Sequence, residues 1–182
     1  YFFVILTTIL YLDKSIIDFI NLDIIYVTYS FLICFIFFNF FNKSYLGDGG
    51  AYLLSLIVAF ILINFYNTSN VSPYFIALLL WYPAFETFFS IIRKIFITKL
   101  KPDQPDLKHL HHLLLNFFNK NFTLSKKFSS SITGLIINLF NLIVFYIGTF
   151  FIYNTKILII LILFCIIIYF LLYIILLKIK RT

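Results

Sequence analysis

Uninterrupted apolar runs constrain this chain more than any other feature of its sequence. Residues 157–177 contain no charged residue, and 63% of the 182 residues are hydrophobic. Apolar runs of about 18 residues or more are typical of membrane-spanning helices. The scarcity of Gly and Pro inside the runs favours helices over the alternating strands of a membrane β-barrel. The sequence therefore predicts an all-α, polytopic helical membrane protein.

The apolar runs predict about six transmembrane helices in a single membrane domain that covers residues 1–182. The runs lie at 1–12, 24–41, 51–66, 73–92, 132–153 and 157–177. The first run is cut short, and the sequence opens on Tyr inside it, so we expect the chain to have lost an N-terminal part. Cys34 and Cys165 lie far apart in apolar runs, which predicts neither a disulfide nor a metal site.

The basic residues predict an orientation. Only Lys14 and Lys156 lie in the links 13–23, 67–72 and 154–156. The other twelve lie in the remaining connections, which an even walk through six spans places on one side: Lys43, Arg93, Lys94, Lys99, Lys101, Lys108, Lys120, Lys126, Lys127, Lys178, Lys180 and Arg181. Because excess Lys and Arg marks cytoplasmic loops, 93–131 is predicted to be a cytoplasmic loop. The net charge of +7 is spread thinly beside the membrane, which favours anionic lipid headgroups over nucleic acid as the partner.

Asp48 is the first polar residue that a membrane span does not need. It lies in Lys-Ser-Tyr-Leu-Gly-Asp-Gly-Gly-Ala, at the start of the third span. Asp is a common N-cap and suits the positive end of the helix dipole. The flanking glycines also permit close approach of a ligand, and a carboxylate is a hard oxygen ligand for Mg²⁺. Cap and metal ligand are both open at this stage.

Glu86 is the second such residue, about two turns inside the fourth span. An ionisable group at that depth is costly, so we expect it to face the protein interior or a watery cleft. Arg93 follows seven positions later on a similar helix face. A structural contact between Glu86 and Arg93 and a substrate-binding role are the two alternatives.

All three histidines of the chain, His109, His111 and His112, lie within four positions. Apolar residues after Asp106 follow helical spacing and predict an amphipathic helix on the membrane, with Asp106 as its cap. On that helix His109 and His112 share a face, and His111 lies about 100° away from His112. All three rings converge on one ligand only if this stretch is partly non-helical.

Two kinds of ligand suit this histidine cluster. Zinc is one, with Asp103 or Asp106 adding an oxygen ligand. Phosphate is the better fit, because imidazoles and Lys108 can hold its oxygens.

Three segments in order resemble one enzyme family. Phe-Asn-Phe-Phe-Asn-Lys-Ser-Tyr-Leu-Gly-Asp-Gly-Gly-Ala, Pro-Ala-Phe-Glu-Thr…Arg-Lys and Asp-Leu-Lys-His-Leu-His-His resemble the Gly-Asp-x-Gly, Pro-x-x-(Asp/Glu)-Thr and Asp-x-x-His-x-His-His segments of the polyprenyl-phosphate N-acetylhexosamine-1-phosphate transferases. The likeness runs from about residue 24 to the end and covers only the C-terminal half of such an enzyme. Ala51 replaces a usual Ser, and Lys94 a usual Arg.

The resemblance implies transfer of a sugar-1-phosphate from a UDP-N-acetylhexosamine to undecaprenyl phosphate, with Mg²⁺ as cofactor and UMP as product. Asp48 would be the Mg²⁺ ligand, and His109, His111 and His112 would form the phosphate-transfer site. Substrate-binding roles would fall to Glu86, Arg93 and Lys108. The enzyme would lie in the bacterial inner membrane with its active site on the cytoplasmic side, and the family resemblance allows a homodimer.

Departures from the family keep other functions open. The upstream aspartate motifs of the family are absent, so we expect this chain alone to be inactive. The related phospho-N-acetylmuramoyl-pentapeptide transferase of peptidoglycan synthesis has three adjacent histidines at the end of its loop. Here Leu110 separates His109 from His111, which favours an N-acetylhexosamine donor but keeps that enzyme as an alternative. The further alternative is an inactive membrane scaffold or a transporter fragment.

Overall fold

A computed structural model describes residues 1–16, 22–41, 43–98, 108–122 and 126–181. The described residues contain helices and no β-strand, which confirms the predicted all-α class. The helices are α1 (Phe2–Ile16), α2 (Leu22–Phe40), α3 (Gly47–Thr68), α4 (Pro73–Ile92), α5 (Leu110–Asn121), α6 (Lys126–Thr149) and α7 (Thr155–Arg181), and a π-helical segment, Arg93–Thr98, follows α4 directly.

In the described part of the chain, five helical segments are long and apolar enough to cross a membrane: Asp23–Phe40, Gly47–Thr68, Pro73–Phe96, Phe128–Thr149 and Thr155–Ile179. The first predicted span, residues 1–12, corresponds to the apolar part of α1, Phe2–Leu12, which is shorter than the other five. Large apolar side chains such as Leu56, which is 69% exposed, lie on the outer faces of these helices. Such faces are stable in lipid rather than in water. The chain is a multi-pass membrane protein.

Several helix boundaries differ from those predicted. Helix α6 begins at Lys126 and ends at Thr149, whereas the apolar run spans 132–153. The fourth span continues past Ile92 into the π-helical segment. Apolar runs mark the part of a helix that meets lipid, whereas backbone hydrogen bonding carries the helix further into polar sequence.

The chain divides into two compact units. One comprises Tyr1–Ile76 and Asn138–Leu158, and the other comprises Ala77–Ile137 and Ile159–Thr182.

The first unit is held by apolar packing and by one polar joint. Tyr1 packs edge-on against Phe145, with ring centroids 6.0 Å apart. The backbone N–H of Ser72 donates to the carbonyl of Ile152 at 3.0 Å, and its hydroxyl lies 3.0 Å from that of Thr155. These bonds satisfy polar groups that burial would otherwise leave costly.

The second unit is organised by aromatic rings of α4 and α7. Phe85 packs edge-on against Tyr169 at 5.1 Å, and Phe89 packs edge-on against Phe170 at 5.1 Å and Tyr173 at 4.9 Å. Edge-to-face pairs at this spacing add roughly 0.5–1.5 kcal/mol each beyond area burial. The ring cluster therefore holds the second half of α4 against α7. Glu86 lies on this half, and Arg93 follows directly after it.

Candidate functional site

The histidine cluster begins at the residue that precedes helix α5. Helix α5 begins at Leu110, and His109 precedes it as the N-cap residue, with φ −66° and ψ 150° in the extended region. The predicted helix start near Asp106 was therefore wrong, and Asp106 itself lies outside the described residues. His109 makes no side-chain cap hydrogen bond, so contacts from another element determine its position.

The extended backbone at His109 brings all three imidazole rings together. The ring centroids of His111 and His112 are 4.2 Å apart, and those of His109 and His111 are 5.6 Å apart and stacked at 19°. His109 and His112 are 6.4 Å apart. The sequence allowed convergence only if this stretch was partly non-helical, and the extended His109 meets that condition.

Glu86 holds the start of this helix. Its Oε1 lies 2.9 Å from Nδ1 of His109 and accepts the backbone N–H of Leu110 at 3.0 Å. An ionised carboxylate only accepts hydrogen bonds, so Nδ1 carries the proton of this contact. Nε2 of a neutral His109 is then the ring atom with a free lone pair.

Glu86 is buried, with 8% of its surface exposed, which confirms that it faces the protein interior. Its second oxygen, Oε2, is also buried and has no hydrogen-bond partner among the described residues. Tyr82 and Tyr169 lie close enough to interact electrostatically with the carboxylate. Buried carboxylate oxygens are usually satisfied, and the buried hydroxyl of Tyr169 is a donor close to this carboxylate.

Arg93 is more deeply buried than Glu86, with 3% of its surface exposed. Its Nη1 donates to the backbone carbonyl of Lys108 at 2.8 Å and to the hydroxyl of Tyr173 at 2.9 Å. The guanidinium carbon lies 5.6 Å from the ring centre of Phe89 and 5.5 Å from that of Tyr173, within range of cation–π attraction. Nη2 reaches the hydroxyl of Ser90 at 3.4 Å.

The expected contact between Glu86 and Arg93 is therefore replaced by two separate sets of contacts. Glu86 binds His109 and Leu110, whereas Arg93 binds the carbonyl just before them. The side chain of Lys108 is exposed.

His111 has a perturbed protonation equilibrium. Partial burial of the ring lowers the pKa of His111, and the neighbouring His112 and His109 lower it further, whereas the charge of Glu86 opposes them. A lowered pKa favours a neutral imidazole, which can both donate and accept a hydrogen bond.

Asp48 lies in the first turn of α3 and is exposed. The expectation that Asp48 is the N-cap was wrong: the helix begins at Gly47, and the N-cap residue is Leu46, which makes no side-chain cap bond. Gly47 has φ +67°, a left-handed conformation that favours glycine. The turn shifts Asp48 into the helix, where its charge still suits the positive end of the dipole.

The described residues contain no group of three His, Cys, Asp or Glu side chains placed to hold one metal ion. Asp103 and Asp106, the oxygen ligands suggested for zinc, lie outside the described part. Mg²⁺ commonly uses one or two carboxylates together with waters and substrate phosphates. The exposed carboxylate of Asp48 fits the role of one such ligand.

Sequence reasoning missed the residues that hold the site residues in place. Tyr173, Phe89 and Ser90 surround the guanidinium of Arg93, and Tyr169 lies beside Glu86. The available signal was the pair of tyrosines four positions apart on an otherwise apolar α7, because residues at i and i+4 share a helix face.

Compared with known proteins, the chain matches no protein-family model, no curated protein and no solved structure.

Proposed function

We propose that this protein takes part in the transfer of N-acetylhexosamine-1-phosphate from a UDP-sugar to undecaprenyl phosphate, with release of UMP. The proposal rests on the resemblance of three sequence segments, two of which meet in the second unit. Glu86 of Pro-Ala-Phe-Glu-Thr and His109 of His-Leu-His-His are 2.9 Å apart although 23 positions separate them. This contact is the observation that supports the proposal most.

The chemistry of the cluster suits a phosphate substrate. Three imidazoles within 6.4 Å of one another offer several N–H donors, and the exposed Lys108 adds a positive charge nearby. Donors that are already oriented stabilise the charge that develops on phosphate oxygens during transfer. With its Nδ1 proton directed at Glu86, His109 presents Nε2 to accept a proton or a hydrogen bond.

Mg²⁺ belongs to the proposal as a cofactor, with Asp48 as one ligand. When bound, a divalent cation neutralises charge on the diphosphate of the donor. The role of the chain is then to bind the substrate, orient it and exclude water from the reacting groups.

The proposed setting is the bacterial inner membrane, with the histidine cluster on the cytoplasmic side. The distribution of twelve of the fourteen basic residues supports this orientation. Undecaprenyl phosphate would reach the site from the bilayer and the UDP-sugar from the cytoplasm.

The test is a radiolabel assay in membranes that contain residues 1–182 joined to an N-terminal half that carries the family's upstream aspartate motifs, because this chain alone is expected to be inactive. We expect Mg²⁺-dependent movement of labelled N-acetylhexosamine from UDP into extractable lipid, together with release of UMP. Asp48→Asn should lower the rate roughly 100-fold, and extra Mg²⁺ should restore only part of it, whereas Asn119→Ala on an exposed position should leave the rate unchanged. Absence of label in lipid with both UDP-N-acetylhexosamine and UDP-N-acetylmuramoyl-pentapeptide donors would refute the proposal.

A further inference from the structure

We propose that Arg93 is a positioning residue of the histidine cluster: together with Glu86 it clamps the backbone on both sides of His109 and so sets the direction of that ring. The inference rests on the proposed function, since it assigns a task within the same site. It departs from a substrate-binding role for Arg93, because the side chain is committed to groups of the protein.

The clamp is formed by one helix acting on one short segment. Arg93 holds the carbonyl of Lys108 at 2.8 Å, and Glu86 holds the N–H of Leu110 at 3.0 Å. These two backbone groups flank His109. The two clamping residues are seven positions apart, which is about two turns or roughly 10.5 Å along a helix.

The clamp opposes the local helical preference. Helix α5 is rich in Leu and Phe at helical spacing, yet His109 is extended at φ −66° and ψ 150°. In a continued helix, His109 would lie about 160° around the axis from His111, so that the two rings would point to nearly opposite sides. Fixing both neighbouring backbone groups holds His109 outside the helix, where its ring stacks on His111 at 5.6 Å.

An arginine is suited to this task in a way that other residues are not. A guanidinium presents several donors in a fixed plane, so that one side chain reaches a carbonyl and two hydroxyls, and it stacks on aromatic rings. Burial of its charge is costly, and the rings of Phe89 and Tyr173 offset part of that cost. A position needed only for packing would be filled at lower cost by an apolar side chain.

The test combines a spectroscopic measurement on the full chain in lipid nanodiscs with a kinetic measurement on the chain completed by the family's upstream aspartate motifs. With ¹⁵N-labelled histidine, we expect the NMR spectrum to show a protonated, hydrogen-bonded Nδ1 for one ring, that of His109. In Arg93→Met, the ¹⁵N signal of this nitrogen should shift towards the averaged signal of an imidazole free in solution. In the transferase assay, Arg93→Met should lower kcat about 10- to 100-fold, since small misplacements of reacting groups have effects of this size, while KM for the UDP-sugar changes less than about twofold. Arg93→Lys should restore little, because it lacks the planar set of donors.

Two variants control the test. Lys120→Met removes an exposed cation on α5 and should leave both readouts unchanged, since it lies outside the clamp. Tyr173→Phe keeps the ring but removes one partner of Arg93, so an intermediate shift should appear even if Arg93→Met does not fold. An unchanged His109 signal in Arg93→Met or Tyr173→Phe would overturn the clamp. A shifted signal in a protein that carries the upstream aspartate motifs and still lacks transferase activity would support the clamp and refute the proposed function.

Discussion

Glu86 on α4 and His109 at the start of α5 share a contact of 2.9 Å between Oε1 and Nδ1. The same oxygen accepts the N–H of Leu110, so a single carboxylate orients an imidazole and supplies the acceptor that the first helical turn needs. The first N–H groups of a helix have no partner within the helix. Glu86 therefore acts both on the shape of the backbone and on the chemistry of the ring.

Removal of Glu86 should loosen the start of α5. In Glu86→Ala the buried N–H of Leu110 loses its acceptor, which we expect to cost about 1–3 kcal/mol. Hydrogen–deuterium exchange should therefore be faster at Leu110 than in the unchanged protein. Glu86→Gln retains an acceptor oxygen and should keep most of the protection. Equal exchange at Leu110 in all three proteins would show that this contact does not hold the helix.

Loss of single histidines should affect the reaction more than the fold. None of the three lies in a membrane-spanning segment, so His→Ala there leaves membrane insertion intact. We expect His109→Ala and His112→Ala each to lower kcat/KM roughly 100-fold or more, the scale of removing a preorganised charge-stabilising group. Rates should be compared at matched amounts of protein in membranes, with Asn119→Ala as the control on the same helix. Near-normal rates in both variants would reduce the cluster to an interfacial anchor.

Sequence predicted those features that depend on averages over many residues. The membrane-spanning helices follow from hydropathy over about twenty positions, which is insensitive to single residues. The inward direction of Glu86 was predictable because a carboxylate facing lipid is costly. Neither inference needs the partner of any side chain to be known.

Features that depend on specific tertiary partners were not predictable from local patterns. The seven-residue spacing indicated that Glu86 would pair with Arg93, but His109, which lies 23 positions away, supplies the partner. The helix start moved from Asp106 to Leu110 because the contacts of Glu86 and Arg93 outweigh local helical spacing. At Asp48 the cap alternative was wrong because the helix begins at the left-handed Gly47, two residues before the start that an Asp48 cap implies.

The orientation predicts which exposed positions an impermeant thiol reagent can reach. With Cys34→Ala and Cys165→Ala as the background, we expect intact cells to show labelling of Asn70→Cys and none of Asn119→Cys, because the excess of basic residues predicts a cytoplasmic α5. Both positions are exposed, so that a reagent on the same side of the membrane can reach them. Permeabilised cells should show labelling of both positions. Labelling of Asn119→Cys in intact cells would reverse the orientation.

Glycines beside Asp48 should respond in opposite directions to substitution. Gly47 has φ +67°, so Gly47→Ala should cost about 1–2 kcal/mol of unfolding free energy through left-handed strain. Gly49 lies inside the helix, and the position that an added Cβ would take is open. Gly49→Ala should therefore raise the unfolding free energy by roughly 0.5–1 kcal/mol. Thermal unfolding in detergent measures both. A lower unfolding midpoint for Gly49→Ala than for Gly47→Ala would contradict the described helix start.

The charges around His111 predict the direction of its titration in each variant. Because partial burial and the neighbouring histidines lower the pKa of His111, the unfolded chain binds its proton more readily than the folded chain. This group therefore destabilises the fold as the pH falls through the ordinary histidine pKa of about 6.5 and below.

NMR titration of the His111 ring should give a midpoint below that value. His112→Ala should raise the midpoint by removing a repelling neighbour, and Glu86→Gln should lower it by removing an attracting charge. Asn119→Ala should leave it unchanged. A midpoint that rises in Glu86→Gln would show that Glu86 does not act on His111 as its position indicates.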